Sequence, residues 1–124
     1  MKRFMLIASL LALAATTSPV KKQADGTVTI NTTTLKADEG CFGPTPVVIY
    51  LDAQERVSKI EALPNTETPS YWNLVMEKLS TVWNGLPASE AASLEVDAVT
   101  GATYSSEGLI SNVRSGLTYY LQSK

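Results

Sequence analysis

The sequence predicts an α+β domain, a small antiparallel sheet with helices packed against it, and three observations predict it. Runs of β-branched residues, broken by turn residues, fill the first half of the chain. Two stretches with apolar residues every three or four positions fill the second half. The order is strand, hairpin, helix, strand, helix, with no internal repeat and no long linker.

Asp25 and Gly26 signal a turn before Thr27–Leu35, where Val28, Ile30 and Thr32 alternate with polar neighbours as a half-buried strand does. Lys36 to Pro46 carries Gly40, Gly43, Pro44 and Pro46 and reads as a loop. Val47–Leu51 is short and apolar, a central strand, and Asp52–Arg56 turns it into a hairpin with Val57–Leu63. Strict alternation fails at Ile60, which leaves the register of that strand open.

Thr68 before Pro69 reads as an N-cap with proline at the first helical position, and Tyr71, Val75, Leu79 and Val82 form its apolar stripe. Gly85 and Pro87 stop this helix, and a polar stretch with Ser89 and Ser93 follows. Leu94, Val96 and Ala98 alternate with Glu95 and Asp97 as a short strand. In the last helix Leu109, Val113, Leu117 and Leu121 recur every four residues, widened by Ile110 and Tyr120.

The chain begins with Lys2 and Arg3, then an apolar run from Phe4 that ends in Ala12, Leu13 and Ala14, the layout of a secretory signal over residues 1–15. The run is shorter than the roughly 20 residues that span a bilayer, so cleavage is the first reading and a retained anchor the second. Residues 16–24, small and polar with Pro19, Lys21 and Lys22, read as a flexible leader, and residues 25–124 as the domain. The expected location is extracytoplasmic, periplasmic or secreted, with membrane association if the segment is kept.

Composition excludes several functions. Ten Lys and Arg against twelve Asp and Glu give a net charge of −2, no footprint for nucleic acid. The absence of histidine removes the commonest acid–base group near neutrality and every imidazole metal ligand. Cys41 is the one cysteine, so no internal disulfide forms and no thiolate cluster holds a metal. Redox chemistry here therefore needs an organic cofactor.

The segment from Asp97 to Ser106 carries the chemistry. It runs Asp97, Ala98, Val99, Thr100, Gly101, Ala102, Thr103, Tyr104, Ser105, Ser106 and leads into the last helix. One reading is structural, with hydroxyls capping the helix and Gly101 making a tight turn. The other is an anion site: small neighbours leave a hydroxyl uncovered, and the helix start turns its N–H groups and positive dipole end towards an anion such as phosphate.

These residues fit the pattern Asp, two residues, Ser or Thr, Gly, Ala, then Thr or Ser. In this they resemble the flavinylation motif of FMN-binding domains, as in the covalent-flavin subunits of sodium-pumping quinone reductase and Rnf complexes. Glu67, Thr68 and Pro69 resemble a second family element, which lies beside the isoalloxazine ring, although Ser70 follows where glycine is common. Gly43 and Pro44 resemble the start of the domain. The resemblance spans about Phe42 to Leu121. It implies an FMN-binding-domain fold and FMN joined through its phosphate to Thr103 by a flavin transferase that uses FAD and a divalent metal. It also implies that Asp97, Thr100, Gly101 and Ala102 serve recognition and geometry.

Beside the acceptor, Ser105 and Ser106 are candidates to solvate the phosphate, and Tyr71, Trp72 and Tyr104 to touch the flavin, with core packing as the alternative for each aromatic. Trp83 is read as core, and Arg114 as a solvated surface residue. The chain is thus expected to be an exported flavoprotein domain that exchanges electrons with a membrane or envelope partner, and not an enzyme by itself. Two other readings stay open: a secreted noncatalytic binding module in which Thr100–Thr103 is a structural turn, and a flavin domain serving a separate reductase.

Overall fold

The structure is a computed structural model that describes residues 18–124, so the proposed export segment lies outside the described residues. Four strands, β1 (Val20–Lys22), β2 (Val28–Asn31), β3 (Val47–Leu51) and β4 (Val57–Ala62), precede three helices, α1 (Pro69–Leu79), α2 (Ala88–Ala92) and α3 (Thr103–Gln122). The strands form one antiparallel sheet in the order β1-β2-β3-β4, the α+β architecture that the pattern implies.

Alternation decides which face the sheet buries. Val28 and Ile30 on β2 and Val47, Ile49 and Leu51 on β3 point inwards, and Trp72, Val75, Leu79, Leu109, Val113 and Leu117 meet them from α1 and α3. The irregularity at Ile60 is a β-bulge. Ile49 pairs with Ile60 but Leu51 pairs with Val57, so β4 carries one extra residue beside Tyr50 and Leu51. That extra residue lets Val57 and Ile60, three apart, both face the core.

Several expectations are corrected. The segment read as a flexible leader supplies β1, because Val20, Lys21 and Lys22 pair with Ile30, Thr29 and Val28. The first strand of the domain ends at Asn31 rather than Leu35. The stripe of α1 is Trp72, Val75 and Leu79, leaving Tyr71 and Val82 exposed, and the helix stops at Leu79. The polar stretch contains α2, which buries Ala88 and Ala91. Leu94 to Ala98 is not a strand. Its alternation is real, since Leu94, Val96 and Ala98 are half-buried while Glu95 and Asp97 are exposed, but the neighbour is a helix: Arg114 of α3 donates to the Leu94 carbonyl at 3.3 Å.

One polar layer crosses the core where α3 meets the sheet. Asn112 accepts from the Thr32 hydroxyl at 2.8 Å and donates to Gly108 O at 2.9 Å and Thr45 Oγ1 at 3.2 Å. Gly108 and Gly116 flank Asn112 on the same helical face. A Cβ on Gly108 would sit 2.6 Å from Thr45 Oγ1 and 2.9 Å from Gly40 N. Gly108→Ala is therefore expected to destabilise the domain by about 1–3 kcal/mol through overpacking against backbone. Urea titration checks this, and an unchanged midpoint would contradict the close packing.

Candidate functional site

The site is assembled from three chain segments that one carboxylate ties together. Glu67 precedes Thr68, the N-cap residue of α1, whose extended backbone (ψ 122°) is what a following proline favours. The Thr68 side chain makes no capping bond, and Pro69 opens the helix. The Glu67 side chain turns inwards and is 5% exposed. Its carboxylate accepts from Cys41 N at 2.9 Å, from Phe42 N at 2.7 Å and from the Ser105 hydroxyl at 2.6 Å. The start of α1, the start of α3 and the Gly40–Gly43 turn are thereby fixed to one another.

Burial pushes the Glu67 carboxyl up, but the donors from Ser105, Phe42 and Cys41 outweigh it and hold the group below its ordinary value of 4.5. A lowered folded value stabilises the fold above the unfolded value, and that stability is lost as pH falls through the folded one. Thermal midpoints are expected to be level from neutrality to about pH 5 and to drop in more acid solution. The acid limb should flatten in Glu67→Gln; parallel profiles for the two proteins would exclude Glu67 as the group responsible.

The turn before α3 presents a different surface. Ala102 N donates to Val99 O at 2.9 Å, closing a turn in which Gly101 has φ +86°, a conformation that glycine adopts without strain. The buried Ser106 hydroxyl donates to Ala102 O at 2.7 Å and accepts from Val99 N at 2.9 Å, pinning both ends of the turn. Thr100, Gly101 and Thr103 are left exposed, and a Cβ on Gly101 would meet nothing within 4 Å. Thr103 is the first residue of α3, whose N-cap, Ala102, offers no side-chain bond. The first-turn N–H groups therefore remain free of any capping side chain and available to an anion.

Of the residues singled out from sequence, Glu67 and Ser105 are brought into direct contact, which ties the start of α1, with Thr68 and Pro69, to the first turn of α3, which Thr103 opens. Asp97 is exposed on the segment leading into the turn. The hydroxyls of Ser105 and Ser106, read as solvating a phosphate, are buried and bonded to Glu67 and Ala102 instead. Ser105 acts through Glu67, and Ser106 through the turn. Trp72 and Trp83 belong to the core, whereas Tyr71 and Tyr104 are 52% and 67% exposed. Arg114 is exposed, further along α3.

Sequence reasoning missed the Gly40–Gly43 turn as part of the site. Its signal is the pair of glycines, of which Gly40 reads only as loop while Gly43, with Pro44, enters through the family resemblance. A hollow of about 420 Å³, bordered by Leu63, Pro64, Asn65, Glu67, Pro69 and Trp72, opens beside the same carboxylate. A larger hollow of about 720 Å³ lies along the flank of α3 between Lys36, Glu95, Arg114 and Tyr119 and includes none of the motif residues from Thr100 to Ser105.

Among the described residues no helix is long and apolar enough to cross a membrane. A family model described as an FMN-binding domain matches residues 40–118, from the Gly40 turn into α3. No curated protein and no solved structure matches the chain.

Proposed function

Since this chain belongs to the FMN-binding domain family and FMN is its cofactor, we propose that it is an exported flavoprotein that carries FMN as a phosphoester on Thr103 and passes electrons between a membrane donor and an acceptor. One observation carries the reading: the Thr103 hydroxyl stands uncovered on the first turn of a helix that no side chain caps.

The residues present suit that group. A phosphodiester keeps one negative charge, and the uncapped N–H groups and dipole of α3 favour an anion there by about 0.3–1 kcal/mol. Gly101 and the exposed Thr100 leave room for a transferase to reach the hydroxyl, with Asp97 at the approach. In the transfer the Thr103 oxygen bonds to the phosphorus of the FMN half of FAD. The pyrophosphate P–O bond breaks, AMP departs with its electron pair, and the hydroxyl proton is released. No electron changes hands in that step.

Once attached, FMN supplies one- and two-electron transfer. The chain's own residues anchor it, and Glu67 holds the two helix starts and the Gly40–Gly43 turn in fixed relation. Outside the cytoplasm a covalent link has a plain advantage. Even a dissociation constant near 1 μM, roughly −8 kcal/mol, leaves a site mostly empty where free flavin is dilute.

The test is expression of the full chain with and without a flavin transferase, followed by denaturation. Covalent loading predicts flavin fluorescence on the gel and an intact mass raised by FMN less one water, only with the transferase and in the extracytoplasmic fraction. Unmodified, colourless protein from both cultures would favour a noncatalytic binding module.

A further inference from the structure

The Gly40–Gly43 turn is held far more firmly than a surface turn requires. Gly40 N donates to Gly43 O at 2.9 Å, Cys41 N and Phe42 N donate to Glu67, and the Thr66 hydroxyl donates to Phe42 O at 2.9 Å. A Cβ on Gly40 would lie 2.6 Å from Glu67 Oε1, so the turn is pressed directly onto that carboxylate. From the α3 side, a Cβ on Gly108 would come within 2.9 Å of Gly40 N. The backbone has no room to yield.

This braced backbone holds a phenyl ring in the open, for Phe42 is 61% exposed. A flexible loop would let such a ring fold onto the core and gain from burial. Here hydrogen bonds to its own N–H and C=O hold the main chain that carries the ring, so the ring cannot reach the core by a movement of the loop. The same carboxylate that receives Phe42 N also receives the Ser105 hydroxyl, two residues along from Thr103. Phe42 and the proposed attachment point thus share one rigid bracket.

We infer that Phe42 is a cofactor-contacting residue whose ring packs against the isoalloxazine of FMN. A flat, largely apolar aromatic system is the partner that a fixed phenyl ring suits, through offset or edge-to-face packing. Tyr71 and Tyr104 are also exposed, on the first turns of α1 and α3, but of the three aromatics only Phe42 has its own backbone N–H bonded to the carboxylate that holds Ser105. The inference rests on the reading that FMN is attached at Thr103.

The chain contains two phenylalanines, Phe4 and Phe42, so ring-labelled phenylalanine gives an NMR spectrum that can be assigned with Phe42→Leu alone. Full-length protein loaded by the transferase is compared with unloaded Thr103→Ala. The Phe42 ring signals are expected to shift on loading. In a second measurement, Phe42→Trp is expected to quench flavin fluorescence several-fold relative to Phe42→Leu at equal loading.

Phe42 signals that stay in place, with equal fluorescence in the two variants, would overturn the contact; a shift seen only on adding a redox partner would assign the ring to docking instead. Failure of the attachment reading shows separately, as wild-type protein whose mass lacks the adduct. In that event free FMN titrated into the labelled protein decides the Phe42 contact by the same signals.

Discussion

Thr103→Ala is expected to abolish covalent flavin altogether while changing stability by no more than about 0.5 kcal/mol. The side chain is exposed and caps nothing, and alanine is the better helix former, so little native structure depends on the hydroxyl. Thr103→Ser keeps a hydroxyl in the same place and should keep the label. Intact mass and in-gel fluorescence after coexpression with a flavin transferase report loading, and a thermal melt reports the fold. Persistence of the adduct in Thr103→Ala would move the attachment elsewhere, with Thr100 the first position to examine.

Glu67→Ala is expected to be the most damaging single change to the fold near the site. It removes the acceptor of two backbone N–H groups and one buried hydroxyl at once. A hydrogen bond to a charged group is worth about 1.5–3 kcal/mol, and buried donors left unpaired add a desolvation penalty. A loss of roughly 3 kcal/mol follows, or roughly 10–20 °C in the midpoint of a domain this size. Glu67→Gln keeps the shape and one side-chain oxygen and should lose less. Flavin loading should fall in Glu67→Ala even below its melting temperature, because the start of α3 is no longer tied down. A variant that melts and loads like the wild type would show that the carboxylate binds nothing of consequence.

The parts of this fold that were legible in the sequence are those set by short-range periodicity. Val28 with Ile30, Val47 to Leu51, and Leu109, Val113 and Leu117 announce their faces because each face is decided by neighbours two or four residues away. The errors arise where the partner is distant. Leu94 to Ala98 alternates as a strand does, yet the surface it covers belongs to α3, and period alone cannot say what lies opposite. On α1, Tyr71 and Trp72 compete for one stripe, and packing into the core, with α3 as the neighbouring element, chose Trp72. Val20–Lys22 looks like leader because only its pairing with β2 makes it a strand.

The site divides in the same way. The exposed Thr103 and the positive φ of Gly101 follow from local chemistry, and both were foreseeable. The bond between Glu67 and Ser105 joins residues 38 apart in sequence, and no local pattern encodes that reach. For that reason Ser105 looked like a phosphate ligand and Gly40 like plain loop.

The polar layer around Asn112 has a consequence for where Thr103 faces. An apolar helix face tolerates small rotations, but Asn112 satisfies Thr32 and Thr45 at one setting only, and Gly108 and Gly116 admit the sheet and loop at that same setting. Each residue of slippage would swing the helix by about 100°. The aim of the first-turn threonine is thus indexed from deep inside the domain, as a key's teeth fix the angle of its bow.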